Sequence, residues 1–483
     1  MSELYSGAEY DKPREECGVV AVYTSDHSYS TATITYELLQ KLQHRGQDAA
    51  GILVTGKETI MLAEHGTINE VFPNGATELD DTAPEAHIGI AHVRYSTSGE
   101  GIMPYGGFAF NGNIANFQTV ADAYDVPYEY RANDGVGMSY ILTGLHEKHG
   151  NYLSGLHELL PQLQGGYAIV ATDGNSVFGA RDPHGLKPLS IGRINSDENG
   201  FVLVSEDVAL QDQDMSLLRE VAAGEIVAID EAGIRQTFLG AEIDEKFCMF
   251  EAVYYMNKDS SIRGQKVESI RHKLGFELAM KDREMGFKPD FVVGVPQSGL
   301  PGAEGYADGA GVPLVPGLLI NPDYEKGRSF IMATQEERRQ AVRDKLVVDA
   351  EYVAGKKLVV VDDSIVRSTT KREIVRMLRE AGAVEVHSRI TAPPIKMPCF
   401  YGVNMGHEAN DLIAANMHFR EMATAIDADS IMFLDETEMA RGMGVALGKL
   451  CMGCVLGEYP TPVPMPDSRK NQQIPPLVVQ RVA

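Results

Sequence analysis

Basic residues are in short supply in this chain. Its 483 residues include 43 lysines and arginines against 68 aspartates and glutamates, a formal charge of −25. So acidic a protein is a poor partner for nucleic acid or an anionic membrane, although a local nest of backbone N–H groups can still hold a phosphate against that field. No apolar run approaches the roughly 20 residues a membrane span requires. The segment Met1–Glu16 is polar and has no apolar core, which excludes a secretory signal and leaves the cytoplasm as the expected compartment. Cysteine is scarce too. The five thiols Cys17, Cys248, Cys399, Cys451 and Cys454 are an odd number in a long chain, which is no disulfide framework. Low-complexity tracts are absent, and the length suffices for two or three domains with full cores.

What is present begins with Leu358–Val361, an aliphatic run that reads as a buried parallel strand. Asp362 and Asp363 stand at its end. The polar loop Ser364–Thr370 follows, then a helix pattern from Lys371 to Ala381, closed by Gly382. Strand, polar loop and helix start together hold phosphate in α/β proteins, because backbone N–H groups and the helix N-terminus face the anion. Ser368, Thr369 and Thr370 can add hydroxyl donors. The two carboxylates have the wrong sign for phosphate but suit ribose hydroxyls, or a Mg²⁺ bridging to a pyrophosphate. Two adjacent acids before a Ser/Thr loop weigh against an ordinary β–α turn with solvated acids. Gly294–Gly299 is a second strand-to-helix turn able to nest an anion; taken alone, Ser298 there reads as a plain turn residue.

Two rhythms divide the chain. From Cys17 to Glu245, short strands alternate with Gly-rich turns, as in Gly18–Tyr23, Ala49–Val54, Ile88–Val93 and Gly166–Ala171, with helices at Ile34–Gln43 and Ser139–Lys148. That pattern predicts an α+β sandwich. From Lys246 the order becomes helix Val267–Gly286, strand Phe291–Pro296, helix Pro301–Gly309, strand Leu358–Val361, helix Lys371–Ala381 and strand Glu385–Ile390. Alternating βα units mean a parallel sheet. The expected boundaries are a leader at 1–16, domains at 17–245 and 246–455, and an extended tail at 456–483, Pro-rich over Pro460–Pro476. A lone Cys17 before a strand is ordinarily a core thiol, and Cys451-Met-Gly-Cys454 alone suits zinc, a redox pair or Fe–S equally.

Three resemblances carry the reading further. Val359–Lys371 resembles the signature of the type I phosphoribosyltransferases. Its form Val-Asp-Asp-Ser-Ile-Val-Arg-x-Thr-Thr is similar to that of the glutamine phosphoribosylpyrophosphate amidotransferases, and Cys248, Cys399, Cys451 and Cys454 resemble the four cysteines of their iron–sulfur subclass. Cys17, Leu42–Asp48, His92–Thr97 and Asn111-Gly112-Asn113 resemble the class II glutamine amidotransferases, which have an N-terminal-nucleophile fold. The implied fold is an α+β glutaminase sandwich followed by an α/β type I phosphoribosyltransferase domain.

The resemblance also implies roles. Cys17 would be the nucleophile, freed from the leader so that its α-amine, with a pKa of about 8, acts as base. Asn111 and Gly112 would hold the oxyanion, Arg94 the α-carboxylate of glutamine and Asp134 its α-ammonium. Asp362 and Asp363 would take the ribose hydroxyls, and with Ser298 would surround Mg²⁺. Ser364, Arg367, Ser368, Thr369 and Thr370 would cradle the 5′-phosphate. Arg328, in the loop Asn321–Ile331, would close over the pyrophosphate, and Arg343–Leu346 matches a basic strip of the family. Cys248, Cys399, Cys451 and Cys454 would bind a [4Fe–4S] cluster, with a Cys₄ zinc site as the alternative.

The expected activity is synthesis of 5-phosphoribosylamine from glutamine and phosphoribosyl pyrophosphate, the first committed step of purine synthesis, by a homo-oligomer, dimer or tetramer. Several positions depart from the family: Ser368 for Gly, Phe110 for His, Asn133-Asp134-Gly135 around the acid, and a loop that exchanges cations for Pro322, Asp323 and Glu325. That loop motivates one alternative, a different phosphoribosyl acceptor. The other is a phosphoribosyl-pyrophosphate sensor without transfer, which would need a basic DNA-reading module that the sequence lacks.

Overall fold

The computed structural model describes residues 17–26, 29–95, 101–240, 244–324, 335–366, 368–403 and 412–463. The expected leader 1–16, Arg328 and Arg367 lie outside the described residues.

The first half is two stacked antiparallel sheets. One has the order β10-β8-β9-β1-β4-β2-β3, with β1 Gly18–Tyr23, β2 Ala49–Thr55, β3 Thr59–His65, β4 Ile88–Arg94, β8 Ser190–Ile194, β9 Phe201–Val204 and β10 Met215–Glu220. The other has the order β12-β11-β7-β6-β5, with β5 Phe108–Ile114, β6 Gly165–Thr172, β7 Val177–Arg181, β11 Glu225–Asp230 and β12 Gly233–Phe238. Both faces of β1 are covered, which is why its sequence is apolar throughout. Val19, Ala21 and Tyr23 pack toward the second sheet, while Val20 and Val22 pack with Leu38 and Leu39 of helix α1, Thr31–Lys41.

The second half is a parallel sheet of Phe291–Gly294, Lys357–Asp362, Glu385–Ile390 and Ser430–Phe433, side by side in that order. Leu358 and Val360 face one core, and Val359 and Val361 the other. A strand buried on both sides reads as an unbroken aliphatic run. The helices Val267–Glu284 and Leu300–Ala310 cover one face in close contact: a Cβ on Gly275 would lie 1.8 Å from the carbonyl oxygen of Gly302. Helix Thr369–Glu380 covers the other face through Ile374, Val375 and Leu378. Among the described residues, no helix is long and apolar enough to cross a membrane.

Helix ends differ from expectation where capping decides them. The helix expected from Ser139 begins at Asp134, because the side chain of Asn133 accepts the Val136 N–H at 3.2 Å. Ser30 does the same for α1, accepting the Thr33 N–H, so α1 starts at Thr31 and not Ile34. At the junction between halves, Phe247–Cys248 pairs in parallel with Leu450–Cys451. The expected tail is not wholly extended. Leu456 ends the helix Gly453–Leu456, and the following residues fold back, with Tyr459 donating to the Pro398 carbonyl at 2.5 Å and the Thr461 N–H to Tyr401 Oη at 3.0 Å. Residues 464–483 lie outside the described residues.

Candidate active sites

The first centre lies where β1 begins and β4 ends. Gly18 pairs with Val93, so the antiparallel register carried back one step sets Cys17 beside Arg94. Cys17 is half-buried, its Sγ 4.0 Å from the Tyr95 carbonyl. Arg94 is buried, and its guanidinium donates to the Gly101 carbonyl. The second sheet brings β5 to the same end. Asn111 is 0% exposed, and among the described residues neither its Nδ2 nor its Oδ1 has a hydrogen-bond partner. A buried amide left unsatisfied costs about 1–3 kcal/mol, and an oxyanion would satisfy its N–H. Gly112, at φ +145°, is forced by packing as well: a Cβ there would lie 2.1 Å from the Gly166 carbonyl oxygen. Asp134 starts its helix beside this strand, accepting N–H groups from Ile114 at 3.1 Å and Gly135 at 3.0 Å. Burial pushes its carboxyl up to about 6, against the pull of those two N–H groups and the Arg94 charge.

Sequence reasoning gave His92 no role. On β4, its Nε2 lies 3.2 Å from the Phe110 carbonyl, which bridges the two sheets and fixes the peptide before Asn111. Burial, with the Arg94 charge, pushes the imidazole down to about 3, so it is neutral and Nε2–H donates. The apolar position Phe110 is buried and packs against the turn that carries Asp134, where a Cβ on Gly135 would lie 2.9 Å from its ring.

The second centre sits at the carboxyl end of the parallel sheet. Asp362 and Asp363 are both 1% exposed. Asp363 accepts the hydroxyls of Ser298 and, at 2.6 Å, Ser364, so three of the expected residues do converge. Asp362 meets Lys371 Nζ at 2.6 Å, with both side chains buried. This ammonium, in the first turn of the next helix, was not foreseen; two adjacent buried carboxylates need a counter-ion, and a lysine two residues after Thr369 is the sequence signal. Ser368 precedes the helix at φ −94°, a backbone that any residue adopts, so the exchange of Gly for Ser is unstrained here. Thr369 and Thr370 are half-open at the helix N-terminus, where an anion fits. Arg343 is committed elsewhere: its guanidinium spans Glu373 at 2.5 Å and Glu380 at 2.9 and 3.0 Å on the flanking helix.

Four thiols share a third place. Cys248 is directly opposite Cys451, and these two with Cys399 and Cys454 line one cavity of about 20 Å³, walled by Leu186, Phe250, Tyr401, Val403 and Tyr459. Burial pushes the Cys451 thiol up to about 12 and the Cys454 thiol well above its usual range, each raised further by neighbouring thiols. Sulfur donors gathered in an apolar, sheltered wall fit a thiophilic metal. Among the described residues, no group of three or more His, Cys, Asp or Glu stands close enough together to hold a metal ion as placed. The cavity wall reaches the first centre: the Phe400 carbonyl accepts Asn113 Nδ2–H at 2.8 Å, and Gly402 lies against Gly112.

An N-terminal-nucleophile sandwich and a phosphoribosyltransferase sheet in one chain define a glutamine-dependent phosphoribosyl amidotransferase. Comparison with known proteins agrees. Residues 105–212 match the glutamine amidotransferase domain family and residues 267–393 the phosphoribosyl transferase domain family. The amidophosphoribosyltransferase of Synechocystis sp. is 35% identical over 475 residues, 95% of this chain and 94% of that one. That of Mycobacterium tuberculosis is 38% identical over 482 residues, 94% of this chain and 88% of its own. The structure of glutamine phosphoribosylpyrophosphate amidotransferase from Bacillus subtilis, complexed with ADP and GMP, aligns with a TM-score of 0.81 and 35% identity over 92% of this chain and 98% of that one. This chain belongs to the amidophosphoribosyltransferase family.

Proposed function

We propose that the chain makes 5-phosphoribosylamine, glutamate and pyrophosphate from glutamine, phosphoribosyl pyrophosphate and water, with the residues above in the following roles. Cys17 Sγ attacks the glutamine carboxamide carbon, its proton passing to the α-amine once the Glu16–Cys17 bond is cut. The oxyanion forms against Asn111 Nδ2–H and the Gly112 N–H. Arg94 pairs with the α-carboxylate, and ionised Asp134 with the α-ammonium. Ammonia leaves, water releases glutamate from the thioester, and the ammonia moves within the protein to C1 of the ribosyl group, displacing pyrophosphate. Asp362 and Asp363 hold the ribose hydroxyls; Ser364, Arg367, Ser368, Thr369 and Thr370 hold the 5′-phosphate, and Arg328 covers the pyrophosphate. Asp362, Asp363 and Ser298 would hold a Mg²⁺, which would neutralise the leaving pyrophosphate. Cys248, Cys399, Cys451 and Cys454 would hold a [4Fe–4S] cluster that ties the junction together, since neither half-reaction moves an electron; a Cys₄ zinc ion is the alternative, and the metal content of anaerobically purified protein separates the two.

The carrying observation is Asn111, buried at the end of the sandwich where Cys17 lies, its amide without a hydrogen-bond partner among the described residues. Purified protein should release pyrophosphate only when glutamine, or ammonia, and phosphoribosyl pyrophosphate are supplied together. Glutamine hydrolysis with no transfer under any condition would overturn the reading.

A further inference from the structure

Lys371 occupies an uncommon place for a cation. It is the third residue of helix Thr369–Glu380, whose first turn holds no acid and whose Ser368 side chain makes no capping hydrogen bond. The partial positive charge of a helix N-terminus disfavours an ammonium there. What holds it is Asp362, whose Oδ2 accepts from Lys371 Nζ at 2.6 Å with both side chains buried. The other carboxylate oxygen, Oδ1, accepts the Asp363 N–H at 2.9 Å. Both oxygens of Asp362 are thus engaged by the protein itself. The hydroxyls of Ser298 and Ser364 engage Asp363 in the same way.

These partners are not equivalent. A serine hydroxyl displaced from Asp363 can turn to water or to a substrate hydroxyl, because it both donates and accepts. An ammonium only donates, and it carries a charge. A ribose hydroxyl arriving at Asp362 Oδ2 competes with it, and a divalent cation on the same carboxylate repels it. Once displaced, a buried ammonium needs another anion. The lysine stem is long and flexible, so the helix carries a mobile point charge. The substrate brings an anion to that same helix. Thr369 and Thr370, directly before Lys371, are half-open at its N-terminus, where a phosphate fits.

We propose that Lys371 is a substrate-binding residue of the transferase centre, one that gives up Asp362 and takes the 5′-phosphate as the ribose hydroxyls reach the acid pair. This rests on the phosphoribosyl transfer reading of that centre. The test uses the full-length protein and calorimetric Kd values for two probes. Ribose 5-phosphate carries the 5′-phosphate; pyrophosphate with Mg²⁺ does not. Lys371→Gln keeps a donor for Asp362 but has no charge to give a phosphate. It should weaken ribose 5-phosphate by about tenfold or more and leave pyrophosphate within about twofold. It should also raise KM for phosphoribosyl pyrophosphate more than it lowers kcat. Lys371→Arg, which keeps a cation, should bind ribose 5-phosphate within about threefold of wild type. If Lys371→Gln does not fold, Lys371→Ser, which leaves room for water beside Asp362, should show the same split between the probes. Wild-type affinity for ribose 5-phosphate in the uncharged variant, or an equal loss for both probes, makes Lys371 a counter-ion only. Either result overturns the proposal while the transfer reading stands. A wild-type protein that binds neither probe overturns the transfer reading itself.

Discussion

Asn111 and Asp363 are both buried and both polar, yet the two centres hold them in opposite ways. Among the described residues the Asn111 amide finds no hydrogen-bond partner, and neither does His92 Nδ1 close by. Asp363 already accepts two hydroxyls, and Asp362 already has an ammonium. The difference follows from charge. A neutral amide can wait for its ligand at a cost of about 1–3 kcal/mol, whereas two adjacent carboxylates without compensation would protonate or unfold the site. On the proposed reading, the glutaminase centre is thus ready to donate to a charge that appears during reaction. On the proposed reading, the transferase centre exchanges these internal partners for its substrate and a cation.

Removing the acid should have the largest effect on transfer. Asp363→Asn is expected to lower phosphoribosyl transfer by ~10³-fold while Cys17 remains open to alkylation, checked by pyrophosphate release and labelling in parallel. Asp362→Asn should differ in kind, because it also strands the Lys371 ammonium, and should lose stability as well as activity. On the other side, Asn111→Ala should lower glutaminase kcat by ~10²–10³-fold with little change in KM, since the amide is needed only when the oxyanion forms. Next in size is Lys371→Met, which leaves Asp362 buried without its ammonium and should cost about 3 kcal/mol in denaturant unfolding. Asp362→Asn/Lys371→Met should recover most of that loss, and a sum of the single effects would show that the pair is not coupled.

The smallest effect is on pH dependence. Asp134 is raised to about 6, and only its ionised form pairs with an ammonium. The kcat/KM for glutamine should therefore fall as pH drops through about 6, by about tenfold per unit well below it. Ammonia-driven synthesis should lack this step, and so should Asp134→Asn.

Much of this arrangement was legible in the sequence. Unbroken aliphatic runs marked strands covered on both faces, and Glu385–Ile390 was expected with the bounds it has. Cys17, Asn111 and Gly112 were legible as one resemblance, as were Asp362 and Asp363. The rest depends on pairings that spacing does not encode. Lys371 reaches Asp362 because a helix turns back over the strand end, and Arg45 reaches Glu251 across 206 positions. His92 finds the Phe110 carbonyl only once two sheets stack. Cys248 meets Cys451 through a strand pair two residues long, too short to leave a pattern.

The central claim is that one chain carries two separable centres, one supplying ammonia and one consuming it. Cys17→Ala tests it most directly, with phosphoribosylamine formation measured from glutamine and from added ammonia in the same folded preparation. Synthesis from glutamine should fall by ~10³-fold or more while synthesis from ammonia stays within about twofold of wild type. Loss of both, or survival of the glutamine reaction, would contradict the account.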